Sequence, residues 1–443
     1  MRNLLALTAL LLTSPLDAAT TVRLLHFSDY HSHALPFYSE DRHDQGGIAR
    51  AVGYLRRQKK NGALVFSGGD MINKGAPAWS DKFQCVEWPW LNGIVDAMAF
   101  GNHDADYGDG AFRRCQSALE YPILSANTHG LQPYTVLAAK GKRIGVFAIA
   151  GSDFSSLVRV PELRFSDPVA AARETVRRLR DDERVDAVVL IGHQATEADY
   201  ELARTVPGID LVFGTHSHRK QELIRIPGTD TWFVSPFQYL TYISEVDMTF
   251  GDGGLAGVAG RLVRMDASVP ADRATARRVF RMQEELRVDA KYRDLFVPFA
   301  GIPTAMSAGE LARYAVETMR DVAGADLAIS TASSFRGALP PGPIDGELLL
   351  AALPYDNQIV VAELPAASVA KLLELAESEE GAIVAGSAGG EIVRVATTDY
   401  LANVAPRYRD LFAGATIRPT GRRVREEVRK RLDAQWSLRA AAP

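Results

Sequence analysis

Short apolar runs, each closed by a polar turn, recur through the first 220 residues. Runs at 22–27, 63–66, 96–100, 123–126, 143–149, 187–191 and 211–213 are rich in β-branched and aromatic residues and predict strands. Helical patterns lie between them. Ile48, Val52 and Leu55 fall on one face of a helix over 48–60, which Gly46-Gly47 opens. Residues 107–119 also read as helix. Asp167-Pro168 places a capping carboxylate before a proline at the first helical position and predicts a helix to about residue 180. Strands alternating with helices in this way predict an α/β domain.

The pattern changes after residue 250. Glycines over 251–260 predict a hairpin that closes the first domain. Residues 271–291 are charged, with apolar Val279, Met282 and Leu286, and predict a connecting helix; a solvated helix with no hinge role fits equally well. A second domain begins near Phe296. It has a helix over 310–322 stopped by Gly324, strands over 326–330, 359–364 and 393–397, and a helix over 366–376. In the tail, 420–438, Val424, Val428 and Leu432 predict an amphipathic helix packed on its own domain, with binding to a membrane surface as the alternative. The domains expected are thus 20–268 and 296–443, joined by a linker helix over 269–295.

A chain of 443 residues has room for two such domains. Its formal net charge of −4 gives no basic field and excludes nucleic acid as the principal partner. The first nineteen residues stand apart. Arg2, the apolar run 4–12, Ser14-Pro15 and the small pair Ala18-Ala19 read as a secretory signal peptide cleaved near Ala19, although Asp17 fits the cleavage pattern poorly. A buried first helix is the alternative. The run is too short to span a bilayer, and nothing later reads as a membrane span. The expected protein is periplasmic or secreted, without stable membrane insertion. In that setting Cys85 and Cys115 can pair, closing a loop around Asn102–Asp106; two free buried thiols are the competing arrangement.

The chemistry sits in the turns. Five strands end in residues able to bind a metal: Asp29 and His31; Asp70 after Gly68-Gly69; Asn102 and His103; His193; and His216 and His218. Asp29 and His31 alternate, as do His216 and His218, so each pair faces one way in extended chain. Five of the nine histidines lie in these turns, which makes a chance pattern a poor explanation. His33, which follows a ligand pair, reads as a loop histidine, with support of that pair as the alternative; His26, His43 and His129 read as structural. Two cations a few ångströms apart need a bridging carboxylate and mixed nitrogen and oxygen donors; such a pair activates a bridging water and clamps phosphoryl oxygens for in-line attack. Asp70 is the natural bridge. His103, oriented by Asp106, suits the charge developing on a phosphoryl or leaving-group oxygen. The donor set suits Zn or Mn and leaves Fe or Co open. No Gly-x-x-x-x-Gly-Lys-Ser/Thr loop and no Gly-x-Ser-x-Gly elbow occurs.

Asp29-x-His31, Gly69-Asp70, Gly101-Asn102-His103-Asp104, Gly192-His193 and His216-Ser217-His218 resemble the five motifs of the calcineurin-like metallophosphoesterases, and among them the exported 5′-nucleotidases, over roughly residues 22–250. The resemblance implies a four-layer α/β/β/α sandwich followed by a smaller α/β substrate-binding domain. It implies one metal on Asp29, His31, Asp70 and His218, and another on Asp70, Asn102, His193 and His216, with Asn102 also touching substrate. His103 and Asp106 become the catalytic dyad. Thr215 stands where the family usually has a glycine. In the second domain the similarity is weaker. It puts a substrate-binding arginine at Arg336 and two aromatic jaws around a nucleobase at Tyr355 and Tyr400. The family's Asn ahead of the arginine is Thr331, and its ribose-holding Asp is absent from Val404-Ala405-Pro406. No early phosphate-binding Arg occurs near 305–310. Each lost polar contact costs about 1–3 kcal/mol. The resemblance therefore implies cleavage of a small-molecule phosphate monoester, best a 5′-nucleotide. A 2′,3′-cyclic nucleotide phosphodiesterase, a nucleotide-sugar pyrophosphatase, a thiosulfohydrolase and a non-catalytic binding protein are the alternatives. Oligomeric state stays open.

Overall fold

The computed structural model describes residues 19–378 and 382–438. The signal peptide expected over 1–19 lies, apart from Ala19, outside the described residues. Two six-stranded sheets form the first half. One runs Gly254–Arg264, Tyr242–Gly251, Thr20–Phe27, Leu64–Ser67, Ala97–Ala99, Ile123–Leu124 across its width. The other runs Lys220–Arg225, Trp232–Pro236, Leu211–Gly214, Ala187–His193, Lys142–Ala150, Tyr134–Ala139. From Thr20–Phe27 to Ile123–Leu124 the first sheet is parallel, as is the second from Lys142–Ala150 to Trp232–Pro236. Parallel strands covered on both faces read as unbroken apolar runs. Ala187–His193, buried along its whole length, is such a run.

The sheets face each other through Val22, Leu24, Phe66, Val146, Val189 and Phe213. Ile48–Lys60 and Arg273–Val288 cover the outside of the first through Val52, Leu55, Val279 and Leu286. Pro168–Arg177 and Thr196–Thr205 cover the second through Ala172, Val176, Leu202 and Ala203. The result is the four-layer α/β/β/α sandwich. Asp167 caps its helix as expected, accepting from the amide of Ala170 at 2.7 Å.

Several elements depart from expectation. The hairpin is longer than 251–260: its arms are Tyr242–Gly251 and Gly254–Arg264, and only Asp252-Gly253 turn. The connecting helix is packed rather than free. Its cap Asp272 donates its amide to the carbonyl of Ala49 at 2.8 Å, and Lys82 reaches Asp289 at 2.5 Å. A Cβ on Gly53 would meet the Pro270 carbonyl oxygen at 2.5 Å, so only glycine lets the linker cross this helix so closely.

The second half is a five-stranded sheet, ordered Ala382–Gly386, Leu327–Thr331, Ile392–Thr398, Gln358–Pro365, Arg418–Arg423. Ala308–Ala323 and Val424–Trp436 cover one face through Leu311, Met319, Val428 and Leu432. Ala366–Ser378 and Asp399–Asn403 lie over the other, where Val369, Leu372 and Leu401 are buried. Ser307 and Glu310 form a reciprocal capping box, and Gly324 ends that helix in the left-handed region. The tail helix begins only at Val424, because 420–423 belong to the strand Arg418–Arg423, which pairs with Gln358–Pro365. Among the described residues no helix is long and apolar enough to cross a membrane.

Cys85 and Cys115 are joined, with Cα atoms 5.9 Å apart and a sequence separation of 30. The closed loop carries Asn102–Asp106. Replacing both cysteines by serine is expected to lower unfolding free energy by about 3–4 kcal/mol, from the loop entropy restored to the unfolded chain. Urea titration of the oxidised protein against the variant measures this; equal midpoints would remove the bridge from the stability account.

Candidate metal centre

The turns that close the central strands meet at one edge of the two sheets. Five of the seven residues expected to bind metal hold left-handed backbone without being glycine: Asp29, His31, Asp70, His216 and His218, at φ 49°, 47°, 51°, 61° and 50°. Such conformations are unfavourable for residues with a Cβ and persist only when their surroundings enforce them. Cross-turn bonds do so. Asp29 donates its amide to Gly69 at 3.1 Å, and His31 to Asp70 at 2.9 Å. Asp104, named by sequence only as part of a motif, accepts from the amides of Gly101, Met71 and Asp70 at 2.8, 2.8 and 3.2 Å. It thereby ties the Asp70 turn to the Asn102 turn. Burial, with the charge of Asp70 beside it, pushes the Asp104 carboxyl up to about 8.

Two clusters result. Asp29, His31 and His218 each bring a donor atom within 4.8 Å of the others, and so do Asp70, His193 and His216. In the first, Nε2 of His218 lies 3.4 Å from Asp29 Oδ1 and 3.1 Å from Nε2 of His31. In the second, Nε2 of His193 lies 3.3 Å from Asp70 Oδ2. The same Asp70 oxygen is 3.8 Å from Nε2 of His31, so it stands between the clusters. These spacings suit donors sharing an ion at bond lengths of about 2.0–2.2 Å. The Asn102 side-chain oxygen is buried and has no hydrogen-bond partner. Its chain neighbours Gly101 and His103 both lie against Asp70, and an orphaned acceptor between them fits a cation.

The ring tautomers agree. His31 and His193 each turn Nδ1 toward a main-chain carbonyl, of Ile72 at 3.2 Å and of Gly68 at 2.6 Å. Those carbonyls accept a hydrogen bond from Nδ1–H and leave Nε2 as the lone-pair nitrogen. Burial, and then the charge of Arg336, hold His31 and His218 below the usual imidazole range, His218 at about 4.

His103 and Asp106 are paired, Nδ1 to Oδ2 at 2.8 Å, with side chains 14 % and 23 % exposed. The His103 amide donates to Asp70 Oδ1 at 2.8 Å, and its ring meets that of His31 edge-on at 5.2 Å. Burial disfavours the imidazolium, but the charges of Asp106 and Asp70 outweigh it and raise the pKa of His103.

The second half reaches the same edge. Nη1 of Arg336 lies 3.1 Å from Nε2 of His31, and the guanidinium sits 5.2 Å over the ring of Tyr355. Arg336 Nε is buried without a partner. Tyr355 is half-buried and belongs to none of the hydrophobic clusters, whereas Tyr400 packs against the core of its own sheet. Glu347 accepts from the amide of Ala78 at 3.2 Å and links the halves beside the cleft.

Sequence reasoning missed the loop after Trp232–Pro236. Phe237, Tyr239 and Leu240 hold left-handed backbone at φ 68°, 60° and 58°. Tyr239 donates its amide to Asp29 at 2.9 Å, stacks on His33 at 3.6 Å and stands edge-on to His31 at 5.9 Å. Gln238 donates to the Arg336 carbonyl at 3.2 Å. The only available signal was one more polar turn after an apolar run. His33, expected as a loop histidine, is buried against this tyrosine and points Nδ1 at the His31 carbonyl. His26 is buried on Phe213, while His43 and His129 are exposed.

Comparison with known proteins gives a consistent picture. The family model for calcineurin-like phosphoesterase matches residues 22–220, and that for the 5′-nucleotidase C-terminal domain matches 304–393. The chain is 24% identical over 433 residues to Protein UshA of Yersinia enterocolitica, a match covering 82% of this chain and 78% of that protein. The 5′-nucleotidase precursor of Thermus thermophilus has the same fold, with TM-score 0.77 and 21% identity over 94% of this chain and 97% of that one. So does the sulfate thiohydrolase SoxB of the same organism, with TM-score 0.75 and 18% identity over 94% of each chain.

Proposed function

Because the chain belongs to the 5′-nucleotidase family, joining a calcineurin-like phosphoesterase domain to a 5′-nucleotidase C-terminal domain, we propose that it hydrolyses phosphate monoesters, 5′-nucleotides foremost, at a pair of divalent cations. The chain is a metallophosphoesterase. The observation that carries it is the pairing of Asp29, His31 and His218 beside Asp70, His193 and His216, with the orphaned oxygen of Asn102.

In this reading Asp29, His31, Asp70 and His218 hold one cation, and Asp70, Asn102, His193 and His216 the other. Zn or Mn suits these donors. When bound, the cations supply Lewis acidity and lower the pKa of water. The side chains do the rest. His103, its Nδ1 on Asp106, presents Nε2 to the developing charge and can protonate the leaving oxygen. Arg336 brings a fixed positive charge against the phosphate and loses no affinity to side-chain ordering, since it already lies on Tyr355. Tyr355 and Tyr400 offer faces for a planar base. The Cys85–Cys115 bridge accords with export to an oxidising compartment, as the leader sequence suggests.

The test is a substrate series on protein reconstituted with Zn or Mn: an aryl phosphate, a 5′-nucleotide, a 2′,3′-cyclic nucleotide, a nucleotide sugar and a thiosulfonate. The 5′-nucleotide is expected to give the highest kcat/KM. Arg336→Ala is expected to raise KM for it by about 10–100-fold, the loss of a charge-assisted contact. A metal-loaded protein inert toward the aryl phosphate would sink the hydrolase reading; one preferring the cyclic nucleotide or the thiosulfonate would sink only the choice of substrate.

A further inference from the structure

Gly151-Ser152-Asp153-Phe154 follow the strand Lys142–Ala150 and border the second cluster. The Gly151 amide donates to the His193 carbonyl at 2.9 Å, so this turn is fixed to the strand that carries that histidine. Phe154 is fully buried; its ring lies edge-on to His193 at 5.7 Å and tilted against His216 at 6.2 Å. Between these contacts the Asp153 carboxylate stands 3.5 Å from Nε2 of His216. Gly151 gives it room, since a Cβ there would come within 2.5 Å of Asp153 Oδ1.

An imidazole that binds a metal through one nitrogen needs an acceptor on the other. His31 has the Ile72 carbonyl and His193 the Gly68 carbonyl. For His216 the acceptor in reach is the carboxylate of Asp153, which lies outside the 4.8 Å group that His216 forms with Asp70 and His193. Asp153 therefore stands beside that group rather than in it. We propose that Asp153 is a positioning residue for the second cation: it accepts the hydrogen bond from Nε2–H of His216 and so leaves Nδ1 as the lone-pair donor beside Asp70 and His193. This rests on the metal-centre reading above. A carboxylate acceptor makes the ring a stronger donor than a carbonyl does. It is also 48 % exposed, unlike the buried tethers of His31 and His193, so water competes for it and the second cation is the more easily lost.

The test is metal binding on the full chain. Zn²⁺ affinity is measured by chelator competition and stoichiometry by elemental analysis; the visible spectrum is recorded after loading with Co²⁺. Asp153→Ala is expected to weaken the second Zn²⁺ by about 10–100-fold while the first stays bound. Its Co²⁺ spectrum should change only in the second equivalent, and turnover should return at saturating metal. Asp153→Asn, which keeps an acceptor oxygen, is expected to recover most of the affinity. Two results overturn the proposal: unchanged affinity for both ions in Asp153→Ala, or equal weakening of both together with a lower melting temperature. A KM effect confined to substrates with free hydroxyls, at unchanged affinity, would overturn it in favour of direct substrate contact. If the unaltered chain binds only one Zn²⁺, the metal-centre reading falls too; if it binds two and Asp153→Ala keeps both tightly, only this inference falls.

Discussion

Asp70→Asn is expected to lower phosphoesterase turnover on the order of 10⁴-fold, the largest effect of any single substitution, because in the proposed site both cations would share that carboxylate. The geometry sets this side chain apart. One oxygen lies 3.3 Å from His193 and 3.8 Å from His31, so it serves both clusters. The other accepts from the amide of His103 at 2.8 Å and fixes the start of the dyad. An amide keeps the shape and loses the charge, so metal content should fall below two ions per chain. Stability of the metal-free protein should fall as well. Burial works against the Asp70 carboxylate, but His193, His103 and His31 outweigh it and hold the group well below the usual carboxylate range, so the amide gives up a net favourable interaction. Elemental analysis, steady-state rates and thermal unfolding of the apo protein measure the three quantities. A variant that retains two ions and normal turnover would end the bridging role.

His103→Ala is expected to lower kcat by about 10²–10⁴-fold with both ions retained. The side chain is not grouped with either donor cluster, and its Nδ1 is committed to Asp106. Its two candidate duties separate by substrate. If it protonates the leaving oxygen, the loss is small for an aryl phosphate, whose leaving group needs no proton, and large for a nucleotide. If it only holds charge on the phosphoryl group, the loss is similar for both. Normal rates on both substrates would remove His103 from the chemistry.

Most central strands could be read from the sequence because each is short, buried on both faces and closed by a polar turn, as in Ala187–His193; Trp232–Pro236 and Tyr242–Gly251, equally central, escaped that reading. The partially exposed edge strands could not. Tyr134–Ala139 lies half in solvent, and Lys220–Arg225 alternates without a firm apolar side. Missing Trp232–Pro236 also hid Tyr239, because the turn it ends in had no strand to announce it. Thr420–Arg423 looked helical because its charges continue those of the helix after it; only pairing with Gln358–Pro365 makes it extended. Asp153 was invisible for another reason. A lone acid in a Gly-Ser-Asp turn carries no pattern, and its meaning comes from His216, far later in the chain. The cysteine pairing was open for the same cause, since sequence separation says nothing of distance.

The left-handed turns at Asp29, His31, Asp70, His216 and His218 set two kinds of selection against each other. Glycine at any of them would relax the main chain at once, and it would delete a donor atom. Breeding this protein for heat tolerance alone would therefore reward inert descendants, and only a screen that also counts product would keep these five side chains in place.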